Sequence, residues 1–360
     1  MEIQILFERQ NRFFRDPAEK LTAWRPEEIP GLFDRLEHAL DRGCHVAGFL
    51  SYEAGRAFEP ALAGTRETSG FPLAQFGVFH GIAPGPPPPP PTPTRVERRL
   101  AIDEAAYRAN IGRIRDYIRA GDVYQITYCA RYELWITGDP IALFHRLLRH
   151  QPVPYPAWFR SEEATLLSLS PELFFRKTGN RIVTRPMKGT WRRGGNPLTD
   201  WWGRRRLHYD EKNRAENVMI VDLMRNDLGR VGSQVHVPTL FDVASYTTLH
   251  QMTSTVAAEV PPGIRAFDLF RALFPSGSVT GAPKVRAMQI IEEVEPEPRR
   301  IHTGAIGYIT PSREMFFNVA IRTLLVREGR GEMGVGGGIV WDSTPEGEFA
   351  ECQLKATFLD

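Results

Sequence analysis

Cysteine is scarce. The 360-residue chain holds three, Cys44, Cys129 and Cys352, far apart and without a CxxC pair. That excludes a disulfide framework and offers no zinc-ligand spacing. Long apolar runs are missing too, and none reaches the ~18 residues a membrane-spanning helix needs. The opening MEIQILFERQNRFF carries acidic residues and lacks the charged-then-apolar order of a secretion signal. These absences point to a cytoplasmic protein with no membrane contact. Nor does one sign of charge dominate: 45 basic against 43 acidic residues leave a net +2. No global field draws nucleic acid, and the short runs Arg192–Arg193 and Arg204–Arg206 read as solvated loop. A small anionic substrate needs only a local pocket.

What is present supports a large folded body. A 42% hydrophobic fraction is ample for a core, and the length admits two domains or one large one. Pro86 to Pro91 are six consecutive prolines, which donate no ladder hydrogen bonds and favour an extended helix. They divide the chain into an N-terminal region (1–84), a proline-rich linker (85–95) and a main region (96–360). Asp103 caps a helix to Ala120 that Gly121 ends. Val123–Trp135 reads as a strand, Thr165–Arg185 as a hairpin around Thr178-Gly179-Asn180, and Ala215–Leu228 as a helix stopped by Gly229. Pro283 opens another helix. Gly304–Ile309, Phe316–Val326 and Gly334–Trp341 read as strands, and Glu346–Ala356 as a closing helix. Helices and strands mix without strict alternation, which predicts an α+β fold.

Chemistry begins with carboxylates. Glu348 and Glu351 share one helix face with Lys355, and Glu216 lies on a second helix. Carboxylates converging from two helices suit magnesium, which takes oxygen ligands and keeps waters. A solvated acidic face is the plain alternative, and spacing alone favours it. Gly336, Gly337 and Gly338 interrupt a strand and mark a close approach to the backbone. Phe274-Pro-Ser-Gly-Ser-Val-Thr-Gly-Ala-Pro-Lys284 leads into a helix N-terminus and lacks phosphate-loop spacing. Lys188 acts as a nucleophile only if burial lowers its pKa, and Glu172 as a general acid only if burial raises its own.

Four segments in order settle the reading: Asn213–Val231 (NRAENVMIVDLMRNDLGRV), Phe274–Ile291, Ile321–Leu324 and Gly336–Ala356. They resemble the chorismate-utilising enzymes, densely from Asp103 to Lys355 and more thinly before the proline run. The resemblance implies two β-sheets packed face to face with helices outside. It implies chorismate as substrate and Mg2+ as cofactor, with Glu216, Glu351 and Glu348 at or beside the metal. Arg322 then binds the enolpyruvyl carboxylate, with Gly336, Gly337, Gly338 and Lys355 around a substrate carboxylate. Glu172 protonates the departing 4-hydroxyl, and Thr190 and His302 touch substrate.

Two positions discriminate branches. Gln125 stands where water-adding members carry a lysine base, which resembles the ammonia-using branch. Pro186-Met-Lys188-Gly-Thr190 resembles the P-I-K-G-T of the aminodeoxychorismate branch, against P-I-A-G-T in anthranilate synthases. The implied reaction is amination of chorismate at C4 through a covalent lysine, for p-aminobenzoate and folate synthesis. No cysteine lies in a nucleophile-elbow context, so ammonia is expected from a separate glutamine amidotransferase. The alternative function is anthranilate synthesis, and the alternative class is a silent protein of the same fold that docks partners through its prolines. Gln251 stands where many relatives carry histidine, with His250 beside it.

Overall fold

The computed structural model describes residues 2–62, 70–86, 89, 92–246 and 249–360. Most of the six-proline run expected to form an extended helix lies outside the described residues.

Two antiparallel sheets carry the fold. The first runs Gly281–Ala282, Gln125–Thr137, Arg330–Ile339, Thr323–Arg327, Thr165–Ser170, Tyr155–Arg160, Gln4–Phe7 and Arg12–Phe14, with Arg95–Leu100 on the Gln125–Thr137 strand. The second runs Met187–Arg192, Leu249–Glu259, Arg181–Arg185, Leu173–Thr178, Met315–Val319, Ala305–Ile309, His45–Leu50, Ala74–Phe79 and Glu19–Ala23, with Ser233–Ser245 on Leu249–Glu259. Strands from the first 79 residues therefore sit in both sheets, beside strands from the chain's far end.

Facing side chains of the two sheets interlock. Phe49 of the second sheet meets Phe159 of the first edge-on at 5.1 Å between ring centroids, and Phe7 meets Phe316 at 6.0 Å. With Ile5, Leu166, Leu173 and Leu325 they form one apolar layer. Rings so placed add about 0.5–1.5 kcal/mol per pair beyond the area they bury. Helices cover the outer faces. Glu104–Ala120, Pro140–His150, Lys284–Val294 and Pro345–Lys355 pack on the first sheet. Ile29–Asp41, Glu211–Gly229 and Ala266–Leu273 pack on the second. This is the expected α+β architecture of two packed sheets flanked by helices. Local chemistry sets the helix ends: the Asp103 carboxylate accepts from Ala106 N at 2.7 Å, and Gly121 closes that helix at φ 81°.

Several expectations need correction. Thr165–Ser170 is not part of the hairpin. The hairpin is Leu173–Thr178 with Arg181–Arg185, and the earlier strand belongs to the other sheet. Pro171 has no N–H to continue a ladder, so the chain crosses between sheets there. Phe316–Val326 is likewise two strands, one per sheet, parted at Ala320–Arg322. The helix that stops at Gly229 begins earlier than expected, at Glu211, with Arg230 as its cap. Pro283 is the cap residue before Lys284–Val294. Arg204–Arg206 lie in a helix, Pro197–Tyr209, and not in a loop.

Candidate active site

The two crossings place the first functional residues. Glu172 follows Pro171, where the chain passes from first sheet to second. Arg322 sits at the return crossing with φ 49°, a conformation that costs a side-chain-bearing residue about 1–2 kcal/mol. Its carbonyl accepts from Leu169 N at 3.0 Å, which pins the bend. Both residues thus stand between the sheets, away from the aromatic end of the sandwich.

Lys188 comes from the second sheet and reaches the first. A Cβ on Gly338 would lie 2.9 Å from Lys188 Nζ and 2.5 Å from Gln125 Nε2. A side chain at 338 would displace the amine and the amide, which occupy the space it would fill. Burial pulls the Lys188 pKa down, against the pull of Glu216; Lys355 lowers it further, and Glu172 and Glu351 oppose. Glu172 is 3% exposed and accepts from Ser278 Oγ at 2.5 Å. Burial pushes its carboxyl up to about 7, although Ser278, Lys188 and the Met187 amide favour the charged form. An amine with a lowered pKa faces an acid with a raised one, the pairing that nucleophile and general acid require.

The acidic residues gather on the other face of the glycine strand. A Cβ on Gly337 would lie 2.9 Å from Glu348 Oε2, 3.6 Å from Lys355 Nζ and 3.7 Å from Glu351 Oε1. Glu348 accepts from Ser343 Oγ at 2.6 Å, and Glu351 pairs with Lys355 at 2.7 Å. Lys355 also donates to Gly336 O at 2.7 Å. Lys355 holds the Glu351 pKa down. Glu216 and Glu348 move the other way, through burial first and with Glu351 adding to each rise. Burial leaves two of the three carboxylates poorly solvated despite the lysines nearby, and carboxylate oxygens suit a hard divalent cation. Among the described residues no three acidic, imidazole or thiol side chains form a ready cage. A cation here keeps waters or substrate oxygens, as magnesium does.

The remaining groups are buried and waiting. Burial brings the Arg322 guanidinium down to about 10, and among the described residues no carboxylate pairs with it. Gln125 and Gln251 are fully buried, with both amide atoms of each unpartnered among the described residues. Gln251 stands opposite Thr190 in register, so they share a face; Thr190 itself is exposed. His302 lies against Gly334, its two ring nitrogens unpartnered, and burial lowers its pKa to about 3. With Thr323, Cys129 and Glu295 it lines a cavity of about 170 Å³. Beyond Met333 the second edge of the glycine strand has no strand partner, since Thr323–Arg327 covers only Arg330–Met333. Each expected site residue thus lies at or beside this end of the sandwich.

Sequence reasoning missed Ser278 as the partner of Glu172. The signal was there, since a turn holding Ser276, Ser278 and Thr280 is rich in hydroxyls. At the start of the following helix Lys284 pairs with Asp227 at 2.5 Å. Also missed was Arg299. Its guanidinium joins Glu295, Thr127 O and Val279 O beneath the active-site strand, over the Tyr52 ring at 4.5 Å. Glu53 accepts from the Arg299 and Arg300 amides and ties the N-terminal region to that hub.

A buried guanidinium without a carboxylate partner among the described residues, beside a lysine and a glycine strand, suits a small substrate with carboxylates. Residues 82–360 match the chorismate binding enzymes, and the chain belongs to that family. It is 42% identical to aminodeoxychorismate synthase component 1 of Salmonella typhimurium over 247 residues, 68% of this chain and 54% of that protein. To anthranilate synthase component 1 of Thermus thermophilus it is 40% identical over 256 residues, 71% of this chain and 55% of that protein. The chain spans about half the length of these curated relatives. In fold it is similar to anthranilate synthase component I from Streptococcus pneumoniae, with a TM-score of 0.83 at 24% identity, covering 100% of this chain and 92% of that one.

Proposed function

We propose that this chain aminates chorismate at C4, as a component I that draws ammonia from a separate glutamine amidotransferase in the cytoplasm. One observation carries the choice: Lys188, with its lowered pKa, faces Glu172 between the sheets. Arg322 holds the enolpyruvyl carboxylate with its planar fork. Lys355 and the Gly336–Gly338 edge lie by the ring carboxylate. Lys188 Nζ bonds to C2, the two ring double bonds each shift along one position, and the C4–O bond breaks. Glu172 gives its proton to the leaving hydroxyl, which departs as water. Ammonia then bonds to C4, the double bonds shift back, and the lysine leaves. Gln125 bears no proton-accepting amine, which supports ammonia over water as the incoming group. Glu216, Glu348 and Glu351 are the residues to hold Mg2+, which when bound supplies positive charge to the ring carboxylate.

The test is incubation with chorismate, magnesium and ammonium salt, reading product mass and pyruvate together. The expected product keeps its enolpyruvyl group and releases no pyruvate. Lys188→Ala loses the covalent route, and residual activity attacks C2 directly. One pyruvate per chorismate from the unmodified chain, with anthranilate as product, assigns it to the other branch and makes Lys188 a bystander.

A further inference from the structure

The strand that carries Lys188 is weakly held by its own sheet. Met187–Arg192 lies at the end of the strand order and pairs with Leu249–Glu259 on one side. Its register slips between Met187 and Thr190, and Gly189 sits at φ 87°. An edge strand with a bulge and a glycine resists fraying poorly. A nucleophile, by contrast, works only when held within about 1 Å of its target.

A chain of hydrogen bonds on the outer face supplies the missing hold. Ser245 Oγ meets His250 Nδ1 at 2.9 Å, and His250 Nε2 meets Asp200 Oδ1 at 3.0 Å. The same oxygen accepts from Arg193 Nε at 2.5 Å and Gly194 N at 3.0 Å. Arg193 also donates to Tyr246 O at 2.7 Å. Three elements are thereby joined: the residues that leave the Lys188 strand, the Pro197–Tyr209 helix through Asp200, and the Leu249–Glu259 strand through His250. His250 is 1% exposed and stands opposite Trp191 in register. Trp191 lies against the helix, since a Cβ on Gly203 would come within 2.7 Å of its ring, and Arg206 sits over the ring at 5.0 Å.

Resting on the functional reading above, we propose that Asp200 and His250 form a positioning clip that fixes the edge strand bearing Lys188 and Thr190. Serine, histidine and aspartate also make hydrolytic triads. Here the aspartate oxygen is already shared with a guanidinium and a backbone amide, which serves holding and not proton transfer. The clip acts from the outer face, while the site lies on the inner one. Lys355 and the glycine strand belong to the first sheet and its helix; Arg322 neighbours Tyr246, whose backbone carbonyl accepts from Arg193.

The test compares Asp200→Ala, Asp200→Asn and Trp202→Ala with the parent chain. Alanine removes the shared acceptor, asparagine keeps an oxygen there, and exposed Trp202 on the same helix is a control. Asp200→Ala is expected to lower kcat roughly ten-fold or more, with KM for chorismate within about two-fold. Backbone amide exchange should rise over residues 186–194, with unchanged protection in the first sheet. Asp200→Asn should recover most of both readouts, and Trp202→Ala should match the parent. Unchanged exchange at 186–194, or loss of protection across the whole chain with KM and kcat falling together, overturns the clip. Exchange is read without turnover, so a parent chain that fails to aminate chorismate defeats the functional reading separately.

Discussion

Replacing Glu172 by glutamine should stabilise the protein at alkaline pH while removing the proposed general acid. Burial lifts the Glu172 carboxyl from its usual 4.5 to about 7. Below pH 4.5 the group is neutral both folded and unfolded, and ionisation costs nothing. Between these values the unfolded chain gives up the proton and the folded chain keeps it. Stability therefore falls as pH rises, by about 1.4 kcal/mol per unit, and above pH 7 the loss levels off at about 3 kcal/mol. Glutamine carries no such charge. It can still accept from Ser278, but its amide cannot accept from Met187 N, which returns about 1 kcal/mol. The expected net gain at pH 8 is about 2 kcal/mol, and at pH 4 the variant should be about 1 kcal/mol less stable than the parent. Denaturant unfolding of both proteins from pH 4 to pH 8.5 measures the difference curve. A flat curve would refute the reasoning, because Glu172 would then ionise normally and hold no proton to donate. Activity should run the opposite way, with the parent's rate falling as pH passes about 7 and the variant nearly inactive throughout.

Three further outcomes are expected. Glu351→Gln, which frees Lys355 and thins the acid cluster, should lower chorismate turnover by about a hundred-fold and raise the magnesium needed; full parental turnover in EDTA would show that no metal is involved. Arg322→Gln should raise KM for chorismate about 10–150-fold, the worth of a charge-assisted carboxylate contact of about 1.5–3 kcal/mol, without destabilising the fold, since it removes a buried guanidinium that no carboxylate pairs among the described residues; an unchanged KM would place the carboxylate elsewhere. Phe159→Ala should cost about 3–5 kcal/mol in denaturant unfolding by opening the layer between the sheets, and a cost under 1 kcal/mol would mean the sheets do not pack there.

The chain showed its site more openly than its topology. Glu348, Glu351 and Lys355 share a helix face by spacing alone, and the glycines at 336–338 announce a close approach before any contact is known. What touches them is long-range: Lys188 comes from the opposite sheet, and no local pattern links position 188 to position 338. The sheet crossings at Pro171 and at Ala320–Arg322 were hidden for a related reason. Both flanks are apolar and strand-like, so a periodic reading runs through them, and only the partner strands reveal that the flanks belong to different sheets. Ser233–Ser245 escaped notice because its exposed polar residues and Pro238 weaken the strand pattern, although it pairs along Leu249–Glu259. Ser278 and Asp200 act through side-chain partners 106 and 50 residues away, beyond the reach of spacing arguments.

The polar end of the sandwich is built at a cost to stability, and that cost itself argues for binding. Gln125, Gln251 and His302 bury polar atoms without partners, and each unmade hydrogen bond costs about 1–3 kcal/mol. Arg322 adds a guanidinium that burial already pulls down to about 10. A core selected for stability alone would fill these positions with apolar side chains, as the other end of the same sandwich does with Phe7, Phe49, Phe159 and Phe316. The two ends share sheets and differ in what must enter between them. Donors unpartnered among the described residues, buried carboxylates and a lysine with a lowered pKa would all be relieved together by the proposed ligand, which brings carboxylates, a leaving hydroxyl and an accompanying cation. A ligand lacking any of these would leave part of the cost in place, and this ties selectivity for the substrate to the price of building its site.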